Sequence, residues 1–103
     1  MAGFVQIIEY RTSRPEEVRA IGEQFRKGRE AGDEGPAPTR MTACADRDNP
    51  GRYFHIVEFA SYEDAMANSE REDTGVFAAQ LMELCDGPAT FYNLDLLETT
   101  EMG

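Results

Sequence analysis

The sequence predicts an α+β fold of ferredoxin-like, split βαβ order: a four-stranded antiparallel sheet with helices on one face. Three observations predict it. Four runs rich in β-branched and aromatic residues are separated by two stretches of helical periodicity, in the order β-α-β-β-α-β. The two middle runs are joined by a short turn signal, which makes them an antiparallel hairpin. The chain has 103 residues, 41 % of them hydrophobic and 10 % aromatic, which suits a single domain over 1–103 with one core.

Each element has its own signature. Residues 3–11, GFVQIIEYR, are apolar and β-rich. Ser13 precedes Glu16 at capping-box spacing, and Pro15 falls in a first turn, where its missing N–H costs little. Val18, Ile21 and Phe25 then recur on one helical face, and Gly32 is the expected stop. Residues 31–38 form a Gly/Pro loop, 39–47 a second strand, DNPG at 48–51 a turn, and 52–60 the third strand. Ser61 with Asp64 repeats the N-cap pattern and opens a short helix through Ala65, Met66 and Asn68. The charged stretch EREDTG, 70–75, breaks that helix; VFAAQLMELC continues it with Phe77, Leu81 and Leu84 on one face, stopping near Gly87-Pro88. Residues 90–98 are the last strand.

Charge and composition exclude several function classes. Twenty acidic against ten basic residues give a formal net charge of −10, a surface that repels phosphate backbones, so nucleic acid is not an expected partner. No apolar run approaches the ~20 residues that span a bilayer, and no signal peptide is read before the first strand, so no membrane partner is expected. Cys44 and Cys85 lack any metal-ligand spacing and read as buried thiols of a cytoplasmic protein, with a single disulfide as the alternative.

Two helices cover one face of a four-stranded sheet, yet both faces read as apolar. Phe4, Ile8 and Tyr10 oppose Val5 and Ile7; Tyr53, Val57 and Phe59 oppose Phe54 and Ile56; Tyr92, Leu94 and Leu96 oppose Phe91 and Leu97. An uncovered apolar face is an association site, and the expectation is a homodimer packed sheet to sheet.

The segment YFHIVEFASYEDAMANS, 53–69, resembles the corresponding part of antibiotic biosynthesis monooxygenase-like proteins, where a strand ending in Glu-x-aromatic leads through a Ser cap into a helix. The resemblance implies the dimeric α+β barrel superfamily and a ligand pocket between helices and sheet. It implies an oxygenase that needs no cofactor and acts on a small aromatic or polyketide-like substrate. The superfamily also contains haem-degrading enzymes. These use a tryptophan on the short helix and a histidine on the next, and this chain has no tryptophan and no histidine after His55. Haem degradation is therefore disfavoured.

If Glu9 and Glu58 share the uncovered side, Gln6, Ile8, Tyr10, His55, Val57 and Phe59 share the helix side, an apolar wall carrying a few polar groups. His55 has two readings. It is a general base for a phenolic or enolic substrate, its ordinary pKa of ~6.5 lying near working pH, or it is a strand histidine bonded within the sheet or the dimer. Gln6, Asn68 and a tyrosine (Tyr10 or Tyr53) would hold substrate oxygens, with Phe59 against the small hydrophobic or aromatic ligand. Each also has a packing or capping reading. The family's helix histidines are replaced here by Asn68 and Asp73/Thr74, which favours the alternative of a non-catalytic, ligand-binding homodimer.

Overall fold

The computed structural model describes residues 3–30 and 35–102. Its elements run β1 (Phe4–Arg11), α1 (Pro15–Glu30), β2 (Arg40–Ala45), β3 (Arg52–Phe59), α2 (Tyr62–Ser69), α3 (Glu72–Leu84) and β4 (Thr90–Asp95). The four strands form one antiparallel sheet in the order β2-β3-β1-β4. The first and third strands, which carry the most continuous apolar runs, take the two central places.

Register fixes the faces. Phe4 pairs with Phe59, Ile8 with His55 and Tyr10 with Tyr53, and on the other side Gln6 pairs with Asn93. Gln6, Ile8, Tyr10, Tyr53, His55, Val57 and Phe59 therefore share the helix side, and Glu9 and Glu58 share the uncovered side. The core lies between sheet and helices as two joined clusters. Phe4, Val57, Phe59 and Ala65 form one; Tyr10, Val18 and Leu81 form the other; Ile8 packs against both.

Several local expectations are corrected. The helix start at Pro15 holds, but Ser13 forms no capping box: its hydroxyl reaches the Asp86 carboxylate at 3.5 Å, and Thr12 Oγ1 accepts the Arg14 N–H at 3.0 Å. Ser61 caps α2 as expected, accepting from the Asp64 N–H. The break after α2 is only Glu70–Arg71, because Glu72 and Asp73 serve as the acidic first turn of α3 rather than as loop. The second strand shrinks to Arg40–Ala45 and the last to Thr90–Asp95, so Leu97 lies beyond the sheet, 92 % exposed. The turn at 48–51 holds, with Gly51 at φ 93°, a conformation that favours glycine. Gly32 lies outside the described residues. Cys44, expected to be buried, is exposed on the uncovered side of an edge strand; Cys85 is half-buried, and both thiols are free.

Candidate functional site

The most chemically distinctive group on the helix side is the pair Tyr10–His55. Strand pairing puts Tyr10 opposite Tyr53, and His55, two residues on, leans back to meet it. The Tyr10 Oη and His55 Nε2 are 2.9 Å apart, the rings meet edge to face with centroids 5.0 Å apart, and Tyr53 stacks on Tyr10 at 5.8 Å. Burial lowers the His55 pKa below its ordinary 6.5, so the ring is neutral at physiological pH. Burial, with smaller contributions from Cys85 and Tyr53, pushes Tyr10 up to about 12. The pair is thus a neutral phenol on a neutral imidazole.

A neutral imidazole has one donor and one acceptor nitrogen. Nε2 is spent on Tyr10, whereas the buried Nδ1 has no hydrogen-bond partner among the described residues. If Nε2–H donates to the tyrosine oxygen, the lone pair of Nδ1 is left open. If the phenol donates instead, Nδ1 carries an unused proton.

The other expected ligand residues are dispersed. Gln6 Nε2 donates to Asn93 Oδ1 at 3.0 Å, on the same face toward β4. Phe59 belongs to the opposite core cluster, 6.5 Å from the ring of Phe4. Asn68 is buried on α2, where its Oδ1 accepts from Arg29 Nη1 at 2.8 Å. The structure therefore brings Tyr10, Tyr53 and His55 together and leaves Gln6, Phe59 and Asn68 in three separate settings.

Arg29 escaped the reading of the sequence. Its side chain is only 10 % exposed, although it is a cation at the end of a surface helix. Nε and Nη2 bind both oxygens of Asp73, at 2.9 and 3.0 Å, and Nη2 also donates to Thr74 Oγ1 at 2.7 Å. Its guanidinium lies 4.3 Å over the Phe25 ring. Arg71 binds the same carboxylate and the Pro36 carbonyl. Two arginines hold the Asp73 carboxyl far below the usual carboxylate range, with Arg29 the larger cause. The signal was present: Arg29 continues the seam of Val18, Ile21 and Phe25, where an apolar residue would be expected.

Among the described residues, the concavities open to small molecules include the following three. One of about 500 Å³ lies between α1, residues 37–39 and β2, lined by Gly22, Phe25, Arg29, Pro38, Met41 and Phe77 among others. One of about 550 Å³ lies between α1 and α3, and shares Phe25 and Phe77 with the first. A third, about 490 Å³, lies on the uncovered sheet face. None of His55, Gln6, Tyr10, Tyr53, Phe59 and Asn68 lines any of the three. The first reaches the sheet on the helix side at Met41, which pairs with Val57, two positions along β3 from His55.

The uncovered face combines Ile7, Phe54, Ile56 and Leu94 with a polar cluster around Arg52. Arg52 donates to Glu9 at 2.9 Å and to Asp46 at 3.1 Å, and the Tyr92 hydroxyl donates to Glu9 at 2.9 Å. These bonds, that of Arg52 first, lower the Glu9 pKa. Among the described residues, no three His, Cys, Asp or Glu side chains converge as metal ligands, and no helix is long and apolar enough to cross a membrane.

No family profile matches the sequence, and no curated protein matches it. Solved structures do match. The chain is similar to SnoaB, a cofactor-independent oxygenase from Streptomyces nogalater, with TM-score 0.78, 13 % identity, and 96 % of this chain and 97 % of that chain covered. It is similar to a candidate antibiotic biosynthesis monooxygenase from Caulobacter crescentus, with TM-score 0.78, 12 % identity, and coverage of 94 % and 92 %. A conserved protein from Methanosarcina mazei matches at TM-score 0.77 with 8 % identity, over 91 % of this chain and 92 % of that one. The chain thus has the α+β fold found in antibiotic biosynthesis monooxygenase proteins, as the segment 53–69 implied.

Proposed function

We propose that this chain is an enzyme of the cofactor-independent monooxygenase kind, acting on a small aromatic or polyketide-like substrate held on the helix side of the sheet. The observation that carries this reading is the buried, unspent Nδ1 of a neutral His55. A general base must be unprotonated at working pH and have a free lone pair, and the tautomer with Nε2–H on Tyr10 supplies both. In this reading Tyr10 is a positioning residue that fixes the tautomer. Tyr53, stacked on Tyr10 beside His55, is the side chain placed to orient a substrate oxygen, whereas Gln6 is engaged with Asn93. Phe59 and Asn68 are engaged with the core and with Arg29, which favours packing roles for both.

The reaction balances without a further reductant. A phenol or enol gives its proton to His55, the anion passes an electron to dioxygen, and the radicals recombine at the activated carbon as a hydroperoxide. Loss of water then turns a ring CH2 into a carbonyl, so that CH2 and O2 become C=O and H2O. The likeness to SnoaB supports this class of chemistry. A second copy covering the uncovered sheet face is part of the same proposal.

The test is oxygen consumption with 1,8-dihydroxyanthrone as substrate. The native protein is expected to consume one O2 per substrate, with activity declining on the acid side as His55 protonates. His55→Gln is expected to lose about 10²-fold or more in turnover. Unchanged turnover per folded His55→Gln molecule would remove the base assignment. One observation favours the second reading, a ligand-binding dimer without turnover: His55 lines none of the three concavities. Saturable ligand binding with no oxygen uptake by the native chain would establish that reading instead.

A further inference from the structure

The chain has a single histidine, and the strand register spends it on a phenol. Packing does not require this. Phenylalanine at position 10 would fill the same space against Val18 and Leu81, and an apolar residue at 55 would continue the face of Ile8 and Val57. A buried hydroxyl needs a partner, yet a backbone carbonyl meets that need as well as an imidazole does. What the imidazole adds is a basic nitrogen, which can take the phenol's proton outright.

Tyr10 is 4 % exposed, against 51 % for Tyr62 and 42 % for Tyr92. Burial pushes its phenol up to about 12, so at neutral pH it does not ionise first. Loss of an electron changes that, because an oxidised phenol is a strong acid. Its proton then passes across 2.9 Å to Nε2, which has an open lone pair in the tautomer that carries its proton on Nδ1. Tyr53 stacks on Tyr10 with centroids 5.8 Å apart and planes 26° apart. It is less buried than Tyr10 and places a second phenol ring between the pair and the surface.

We propose that Tyr10 and His55 form a one-electron redox site, in which Tyr10 reduces an oxyl or peroxyl radical while His55 takes the phenol's proton. The Tyr10 O–H bond breaks, an N–H bond forms at Nε2, and the electron passes to the radical directly or through Tyr53. The radical becomes an alkoxide or hydroperoxide anion; a neutral phenoxyl radical and an imidazolium remain. A one-electron donor of the ascorbate or thiol class returns the electron, and the proton goes back to the phenol. Burial shields the phenoxyl ring from other radicals until that donor delivers its electron. The oxygenase reading is one source of such radicals, and this site intercepts those that escape. The redox site rests on that reading for nothing else, and it uses the other tautomer of His55.

The experiment is flash oxidation of the full chain, carrying Tyr62→Phe and Tyr92→Phe to remove the two exposed tyrosines. Photo-oxidised tris(bipyridine)ruthenium is the oxidant, and the phenoxyl absorption band reports the radical. The radical is expected to form at neutral pH and to outlive that of free tyrosine about tenfold or more. Its rate of formation should fall as the pH falls through the lowered pKa of His55, because an imidazolium accepts no proton. The other titratable groups packed in this cluster, Tyr53 and Cys85, are a phenol and a thiol that gain no proton on acidification. His55→Gln, which keeps a hydrogen-bond acceptor but no basic nitrogen, is expected to slow formation about tenfold or more. Tyr10→Phe should leave only the short-lived radical of Tyr53. No phenoxyl signal, a signal equally long-lived in Tyr10→Phe, or a rate unchanged by acidification or by His55→Gln in the folded variant would each overturn the proposal. The pH dependence is read with His55 in place, so a His55→Gln chain that fails to fold leaves the test intact. No substrate is involved: failure here leaves the oxygenase reading standing, and failure of oxygen uptake leaves the redox site standing.

Discussion

A proton added to His55 in the folded chain has to be held in a buried site where, among the described residues, burial is the one cause of its lowered pKa and a phenol is its hydrogen-bond partner. The unfolded chain has no such penalty. Between the lowered folded pKa and the ordinary value of 6.5 the unfolded state therefore binds more protons than the folded one, and stability rises with pH across that window. The contribution is complete above about pH 6.5 and is lost on acidification below it. Thermal unfolding midpoints measured from pH 7.5 down to pH 5 should fall in the native protein and fall less steeply in His55→Gln; equal slopes would mean that His55 is not the group responsible. Tyr10→Phe removes the hydroxyl bonded to Nε2 and is expected to destabilise by about 1–3 kcal/mol, measured by urea unfolding. Strand alternation made the side on which His55 lies legible in the sequence. Its bond to Tyr10 was not, because residues 45 positions apart meet only through the β1–β3 register, which no local pattern encodes.

At the scale of elements, the Arg29 clamp joins the end of α1 to α2 and to the first turn of α3. No side-chain hydrogen bond caps the N-terminus of α3, and the clamp ties that first turn to the end of α1. Arg29→Met keeps the stem over Phe25 but strands the Asn68 carbonyl oxygen and half of the Asp73 contacts. It is expected to destabilise by about 2–4 kcal/mol and to raise amide exchange first around residues 68–76. Asp73 has a depressed folded pKa, so its contribution is present above the ordinary 3.8 and is lost only as pH falls through the lower value. Its carboxylate is 41 % exposed, which keeps that contribution modest. Gly28 is the converse case: exposed, with nothing near its Cβ, it should accept alanine with a gain of about 0.5–1 kcal/mol. The sequence showed the break between the helices at 70–75 but not its cause. Asp73 and Thr74 look like loop residues until the arginine that binds them is brought from 44 positions away.

For the whole molecule, the order of strands and helices was legible because each element carries its own local period, and so was the surplus of apolar residues on the second sheet face. Tyr92 and Leu94 are 42 % and 45 % exposed on that face in the single chain. Polar groups on that face are paired: Arg52 binds both Glu9 and Asp46, the Tyr92 hydroxyl donates to Glu9, and Arg40 lies 3.8 Å from Glu58. Hydrogen-bonded and ion-paired groups of this kind cost less to cover with a second copy than an unpaired carboxylate would. Opposing that association is charge, since each chain carries a formal −10 and two carry −20. The repulsion is spread over exposed carboxylates and is screened by salt, whereas the apolar contact is not weakened by it. Dimerisation should therefore tighten as sodium chloride rises from ~20 to ~300 mM, the opposite of what an interface held by exposed ion pairs would do. Sedimentation equilibrium should report a species of about twice 11.5 kDa. Ile7→Glu, which places an unpaired carboxylate in the centre of the face, should leave the chain folded and monomeric at every salt concentration. A dimer that persists in Ile7→Glu, or one that loosens as salt is added, would place the contact elsewhere on the molecule.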